Sequence, residues 1–138
     1  MITGEIAKQL MIRVHNKLGS LAEVISVISA QGINMIALCA YEIENMVAIM
    51  FVTEDNNATK SILEKKGFRV NEEEIVLLTI DNKPGTLQRV TDKIAEAGID
   101  LTLMYGSVAA SAETCSIVLI SKNNLDVMML IKTELERS

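Results

Sequence analysis

The protein has 138 residues, of which 49% are hydrophobic and only 3% aromatic, and its formal net charge is −5. This hydrophobic content excludes an intrinsically disordered chain. The scarcity of aromatic side chains argues against a surface on which RNA bases stack, and the negative charge argues against a phosphate backbone as partner. We therefore expect a folded protein that binds no nucleic acid.

A repeat organises the chain. Residues 11–41 align with residues 77–107 without a gap, at an offset of 66, and eight of these 31 positions are identical. Such repetition indicates one supersecondary unit that is used twice. Units of about 65–70 residues are only marginally stable alone, so each should bury surface against another unit.

The first repeat begins with a strand and a helix. The apolar run at residues 10–14 predicts a strand, and an Asn-Lys-x-Gly turn follows it. Ser20 predicts the N-cap of the helix, and Glu23 completes a capping box. The apolar stripe of this helix ends before Gly32, which is typical of a left-handed residue after a helix.

A hairpin, a second helix and a short closing strand follow in the first repeat. The predicted boundaries are strands at residues 33–42, Met46–Thr53 and 68–70, a hairpin loop at residues 43–45, and a helix that Asn56 or Asn57 caps and Gly67 ends. The acidic residues 71–74 then predict a short linker between two domains.

The second repeat predicts the same order of elements. Its predicted features are strands at residues 75–80, 99–108 and Thr114–Ser121, an N-cap at Thr86, a helix end at Gly98, a loop at residues 109–113, and a second helix capped by Asn123 or Asn124. No strand pattern follows that last helix.

This order predicts the α+β class with two ferredoxin-like βαββαβ units. Each unit should contain a four-stranded antiparallel sheet with both helices on one face, and the second unit lacks its last strand. We place the first domain at residues 1–71 and the second at residues 72–138.

The missing strand leaves an apolar edge at residues 75–80, and such edges are usually covered. We expect residues 68–70, residues 1–6 or another chain to cover it. The linker at residues 71–74 spans at most about 14 Å, which is too short to join the second strands of one chain side by side. Second strands should therefore pair between chains, in at least a homodimer.

The turn ahead of each first helix is the best candidate binding site. Backbone N–H groups at a helix N-terminus favour a carboxylate, and glycine lets a ligand approach closely. Asn16 and Asn82 offer donors and acceptors, while Asn34 and Asp100 begin the second strands at matching positions. Alternatively, asparagine stabilises the turn and glycine permits it. His15 is either a ligand contact or a solvent-facing loop residue.

The motif Asn-Lys-Pro-Gly-Thr-Leu at residues 82–87, followed by Ala-Gly-Ile-Asp at residues 97–100, resembles the ACT domain. Residues 15–21 and 31–34 resemble it a second time, so the chain is similar to tandem ACT proteins. The resemblance implies an amino acid or similar small effector bound near a domain or chain interface. The candidate ligand-binding residues are Asn16, Gly19, Ser20 and Asn34 in the first copy, and Asn82, Pro84, Gly85, Thr86 and Asp100 in the second.

The two copies depart differently from the family pattern. Leu18 stands where the family usually has proline, and Asp100 stands where serine-sensing members have asparagine. Those members often have a histidine where Val14 and Ile80 stand, so the ligand is left open. Because proline fixes φ before a ligand binds, we expect the copy with Pro84 to be the better-formed site.

The favoured function is a regulatory protein that senses a small molecule and acts on an enzyme partner. The alternative is a non-catalytic structural or partner-binding subunit with no ligand of its own. We do not expect an enzyme, because the sequence contains no nucleophile–base set, phosphate loop or metal cluster. Cys39 and Cys115 should be reduced thiols, and we expect no cofactor, no metal, no membrane span and a cytoplasmic location.

Overall fold

The computed structural model describes residues 1–15 and 18–136. Within these ranges the chain forms six strands, four α-helices and a final π-helical segment. The elements are β1 (Ile2–His15), α1 (Ser20–Ala30), β2 (Met35–Ile43), β3 (Met46–Thr53), α2 (Asn56–Lys65), β4 (Val70–Asp81), α3 (Thr86–Glu96), β5 (Leu101–Ser107), β6 (Thr114–Ser121), α4 (Asn124–Leu130) and the π-helical Ile131–Leu135. The predicted α+β class is confirmed. The order of elements differs at one place, because the single strand β4, which begins at Val70, replaces the two strands predicted at residues 68–70 and 75–80.

The chain divides into two compact units, which differ from the sequence-derived domains at the N-terminus. The first unit contains Lys8–Glu73, and the second contains Met1–Ala7 with Glu74–Ser138. Strands β1 and β4 therefore each contribute residues to both units. Sequence periodicity places the first seven residues in the first domain, because it gives no information about which distant strand they pair with.

The prediction of a linker at residues 71–74 is wrong, because β4 runs through them without interruption. The side chains of Glu72 and Glu73 find partners within the first unit. Gln9 is fully buried, and its side-chain amide donates to a Glu73 carboxylate oxygen at 2.8 Å. Lys60 lies 3.0 Å from the Glu72 carboxylate. These contacts let an acidic run remain extended beside β1.

The first unit has the strand order β2-β3-β1-β4, and β3 pairs antiparallel with both β1 and β2. Phe51 in β3 is opposite Leu10 in β1 and Leu38 in β2. Helices α1 and α2 contribute to one apolar core beside this sheet. Its buried members are Leu10, Ile12, Val24, Ile28, Ile49, Phe51, Leu63 and Val70.

The second unit has the strand order β1-β4-β6-β5. Its core is built from α3, α4, the π-helical segment and these strands, and Ile2 belongs to it with 1% of its surface exposed. The Asp81 N–H donates to the Met1 carbonyl at 3.0 Å, and the N-terminal ammonium pairs with the Asp81 carboxylate. Of the three candidates for covering the β4 edge, the N-terminal residues occupy that position in this unit.

The predicted N-caps of the first helices are wrong. Gly19 and Gly85 are the caps, at φ of 84° and 92°, and Ser20 and Thr86 are already helical. Because a left-handed glycine completes the turn, the serine hydroxyl faces back and donates to the His15 carbonyl at 3.0 Å. The capping box with Glu23 is therefore not formed.

The other helix ends follow the sequence more closely. Gly32 and Gly98 have positive φ and follow the helix ends as predicted. Asn123 caps α4 as one of the two predicted candidates. Helix α2 is capped instead by Asp55, while Asn56 accepts hydrogen bonds from the Thr53 N–H and hydroxyl.

Candidate functional site

A groove of the first unit lies at the start of α1 and has a volume of about 910 Å³. The turn and the helix contribute residues 18–22 and Ile25, while β2 and β3 contribute Tyr41, Glu42 and Val47. Two of the candidate ligand-binding residues, Gly19 and Ser20, thus line one concave surface.

The first turn of α1 gives this groove a positive end. The Glu23 N–H donates to the Gly19 carbonyl at 2.9 Å and forms the first hydrogen bond of the helix. The amides of Leu21 and Ala22 precede it, so they have no acceptor within the helix. The N-cap residue, Gly19, makes no side-chain cap hydrogen bond. The helix dipole therefore favours an anionic group here.

The remaining lining is mostly apolar. Ile25 and Val47 form half-buried walls, and the Leu21 side chain is 36% exposed. Glu42 is the ionisable carboxylate of the lining, on the exposed part of β2. A polar helix end beside apolar walls and one carboxylate suits a small zwitterion with an apolar side chain.

The structure does not bring Asn34 to Gly19 and Ser20. Asn34 lines a separate groove of about 300 Å³ with Gly32 and Met35. Its amide lies 3.4 Å from a Glu54 carboxylate oxygen, and its carbonyl accepts from the Glu54 N–H at 3.1 Å. Asn16, the other candidate asparagine of this copy, lies outside the described residues.

In the second unit, Asn82 holds a loop. Its side-chain amide donates to the Ala109 carbonyl at 2.9 Å and to the Ala112 carbonyl at 3.0 Å. Its backbone N–H donates to the Glu113 carbonyl at 2.8 Å. These contacts support the structural alternative for this asparagine, since both amide hydrogens are directed to the β5–β6 loop.

The other candidates of the second copy are spread over the turn and the next strand. Pro84 and Gly85 are exposed, Thr86 is buried, and Asp100 is exposed with its carbonyl accepting from the Lys122 N–H at 2.9 Å. A groove of about 420 Å³ in this unit is lined instead by residues such as Ala97, Asp126, Met129 and Glu134. That groove therefore does not involve the predicted turn.

Sequence reasoning missed most of the groove wall at α1. Glu42 and Val47 come from strands that the turn motif does not include, and Leu18 appeared only as a departure from proline. A comparison of the two repeats also distinguishes Glu42, because Val108 stands at the matching position of the second copy.

Two further observations concern ions and membranes. Over residues 1–15 and 18–136, no group of three or more His, Cys, Asp or Glu side chains is arranged to hold a metal ion. None of the helices formed by these same residues is long and apolar enough to cross a membrane. Cys39 is half-buried and Cys115 buried, and both are free thiols.

The family is shown by a family model that covers most of the chain. The model of the ACT domain pair matches residues 5–133. The chain belongs to the ACT domain pair family. The resemblance seen in the two turn motifs is thereby confirmed, and the ACT domain pair accounts for both repeats. No curated protein matches the chain.

Solved structures share the fold of this ACT domain pair. Protein BT0572 from Bacteroides thetaiotaomicron is 27% identical, with a TM-score of 0.84 over 94% of this chain and 88% of that chain. The ligand-free regulatory subunit of aspartate kinase from Thermus thermophilus is 13% identical, with a TM-score of 0.67 over 98% and 97%. Aspartokinase III of E. coli, in complex with aspartate and ADP, is 17% identical, with a TM-score of 0.55 over 94% and 31%. At the two lower identities, the likeness concerns the fold.

Proposed function

We propose that this ACT domain pair is a cytoplasmic, non-catalytic regulatory protein that senses an amino acid or a related small acid. The proposal rests mainly on one observation, the groove at the start of α1. Family membership supports a sensing role, and the fold is shared with the regulatory subunit of aspartate kinase from Thermus thermophilus. The effector would in turn change the activity of an enzyme partner.

The groove offers one contact to each part of an amino acid. The ligand carboxylate accepts hydrogen bonds from the Leu21 and Ala22 amides, where the helix dipole is favourable. The ammonium group faces Glu42. The side chain lies along Ile25 and Val47, which favours aliphatic over charged amino acids.

This proposal places the main site in the first copy. The sequence alone favours the second copy, where Pro84 pre-sets the turn, and that prediction stays untested. Two observations support the first copy instead. Gly19 and Ser20 line the large groove, whereas the Asn82 amide is engaged with the β5–β6 loop.

A matched pair of variants tests the location. Leu21 and Leu87 occupy the same place in the first turns of α1 and α3, and they are 36% and 38% exposed. Replacing either by glutamate puts a carboxylate at a helix N-terminus, which does not destabilise the helix. Leu21→Glu should weaken effector binding at least about tenfold by charge repulsion, whereas Leu87→Glu should leave it unchanged.

The effector is found first by a thermal-shift screen of the twenty amino acids with branched-chain and aryl acids. A ligand at 100 times its Kd stabilises the folded state by about 2.7 kcal/mol, which such a screen detects readily. Calorimetry with the two glutamate variants then locates the site. Equal losses in both variants, or a loss only in Leu87→Glu, would place the site elsewhere. A screen without any ligand would favour the partner-binding alternative.

Glu42→Gln gives an independent test of the ammonium contact. The variant should weaken binding of an amino acid but not of the 2-keto acid with the same side chain, because only the amino acid carries the ammonium group. An equal effect on both ligands would show that Glu42 does not face the ammonium. The variant leaves the first turn of α1 and the apolar walls intact.

Association through β2 is the second part of the proposal. Among the described strands, β2 has β3 as its one neighbour, and Leu38, Tyr41 and Ile43 are exposed on it. We propose a homodimer in which β2 edges pair, which brings Tyr41 of the groove to the chain interface. Light scattering should show a dimer that Ile43→Lys dissociates and Leu125→Lys, on the exposed face of α4, does not. A wild-type monomer at micromolar concentration would exclude this pairing.

A further inference from the structure

A second groove of the first unit is lined by basic side chains. It has a volume of about 400 Å³ and lies where β1 ends and β4 begins. Arg13, His15 and Arg69 line it, together with Glu23 as its one carboxylate and the apolar Phe68. Neither the amino-acid proposal nor the turn motifs account for this cluster.

The backbone around this groove is held by defined contacts. The Ser20 hydroxyl donates to the His15 carbonyl at 3.0 Å, which ties the end of β1 to the start of α1. After α2, the Gly67 N–H donates to the Glu64 carbonyl at 3.0 Å, and the Phe68 N–H donates to the Leu63 carbonyl at 3.1 Å. This is a Schellman motif, with Gly67 at a φ of 94°.

The apolar floor of the groove belongs to the core. Val14 and Phe68 are half-buried and pack against the core cluster of the first unit. Arg13 and Arg69 directly adjoin these two residues in sequence. The two guanidinium groups are therefore carried by backbone segments that the core fixes in place.

The charges of this groove are not balanced. Within residues 1–15 and 18–136, Arg13 and Arg69 form no ion pair. Among the lining residues, Arg13 and Arg69 are opposed by Glu23 alone, in a chain whose formal net charge is −5. Like charges that line one groove repel each other, and a bound anion relieves this repulsion.

The second repeat serves as an internal comparison. At an offset of 66, Thr79 and Asp81 stand where the first repeat has Arg13 and His15. The Asp81 carboxylate pairs with the N-terminal ammonium and lies 3.9 Å from the Lys83 ammonium. In the second repeat, the Asp81 carboxylate is therefore neutralised by cations of the same chain. At these two positions the first repeat has basic side chains instead, Arg13 and His15.

We propose that the groove of Arg13, His15 and Arg69 binds a small organic dianion, namely a dicarboxylate or a phosphate monoester. Arginine forks pair with carboxylate and phosphate oxygens through two parallel hydrogen bonds, and two forks suit a ligand with two negative charges. The Phe68 side chain gives the carbon skeleton of the ligand an apolar surface. The site is distinct from the larger groove at α1, although Ser20 lines both.

The test uses succinate, inorganic phosphate and acetate as probes with the full-length chain at low ionic strength. Amide shifts in NMR titrations should map succinate or phosphate to residues 13–15 and 67–69, and acetate should bind at least about tenfold more weakly. Arg13→Gln and Arg69→Gln should each weaken the dianion at least about tenfold. Glu23→Gln should tighten it several-fold, because it removes the opposing charge.

A charge-matched control separates a site from general attraction. Lys65 and Lys66 are exposed at the end of α2 and do not line the groove, so Lys65→Gln/Lys66→Gln changes the net charge as Arg13→Gln/Arg69→Gln does. The control should bind the dianion like the wild type, and circular dichroism should show that all variants stay folded.

Three outcomes would overturn the proposal: no dianion binding at millimolar concentration, equal weakening by the lysine and arginine pairs, or weaker binding in Glu23→Gln. The last outcome would indicate a zwitterion whose ammonium group faces Glu23. If succinate binds and phosphate does not, the natural ligand is a dicarboxylate, and the reverse preference indicates a phosphate monoester.

Discussion

Truncation of Ile2 should destabilise the second unit, although this residue stands at the start of the chain. Ile2 is 1% exposed and belongs to the core cluster with Val76 and Leu78. Ile→Ala at a buried site costs about 2–5 kcal/mol, which combines lost transfer free energy with the cavity that remains. Because the strand is terminal and can partly collapse, we expect about 3 kcal/mol. This is a large fraction of a total stability of about 5–15 kcal/mol.

The same strand provides the control. Ile6 is 44% exposed, so Ile6→Ala removes the same atoms from a site that water already reaches. Its cost should stay below about 1 kcal/mol, in proportion to the smaller apolar area lost. The difference between the two variants therefore measures burial rather than β-propensity.

Urea unfolding followed by circular dichroism gives the free energies, since the chain contains no tryptophan for fluorescence. Amide hydrogen exchange then tells which unit is affected. Ile2→Ala should speed exchange in β6 before it does so in β3. Equal costs for Ile2→Ala and Ile6→Ala, or faster exchange confined to β3, would refute the assignment of the N-terminal strand to the second unit.

Three further predictions concern named polar contacts. A hydrogen bond from the N-terminal ammonium lowers the pKa of Asp81. The stabilisation that this carboxylate gives the folded state is therefore present above its unfolded-state pKa and is lost as the pH falls through its folded-state pKa. In Asp81→Asn, the free energy of unfolding should depend less on pH in the acid range. Asn82→Ala should lower the free energy of unfolding, measured in urea, by about 1–3 kcal/mol, because it breaks both hydrogen bonds to the loop. Asn34→Ala should lower it by less than about 0.5 kcal/mol. Asp55→Ala should cost about 1 kcal/mol by removing the α2 cap, and Asn57→Ala almost nothing.

The strands that the sequence predicts best are those with local signals. The predictions for Met46–Thr53 and Thr114–Ser121 agree with β3 and β6 at both ends, because long apolar runs there lie between turn residues. Residues 1–6, which include the first part of β1, were predicted only as one of three candidates to cover the β4 edge, and the middle of β4 was missed. Residues 1–6 mix polar and apolar side chains, and residues 71–74 are acidic, so neither reads as a strand without its distant partner.

The candidate site shows the same limit. Glycine was predicted to permit the turn or to let a ligand approach it, and the φ of 84° at Gly19 explains why glycine stands there. The fate of Asn82 could not be predicted, because its amide donates to carbonyls 27 and 30 residues further along the chain. Similarly, Glu42 enters the groove only through the pairing of β2 with β3, which brings distant residues beside the first turn of α1.

The most direct test of the central claim is an NMR titration of the full-length chain with the best amino acid from the screen. The account predicts that amide shifts will concentrate at residues 19–22 and 40–42, on the two sides of the groove at α1. It would be contradicted if saturating ligand shifted residues 85–88 of the second copy and left residues 19–22 unchanged.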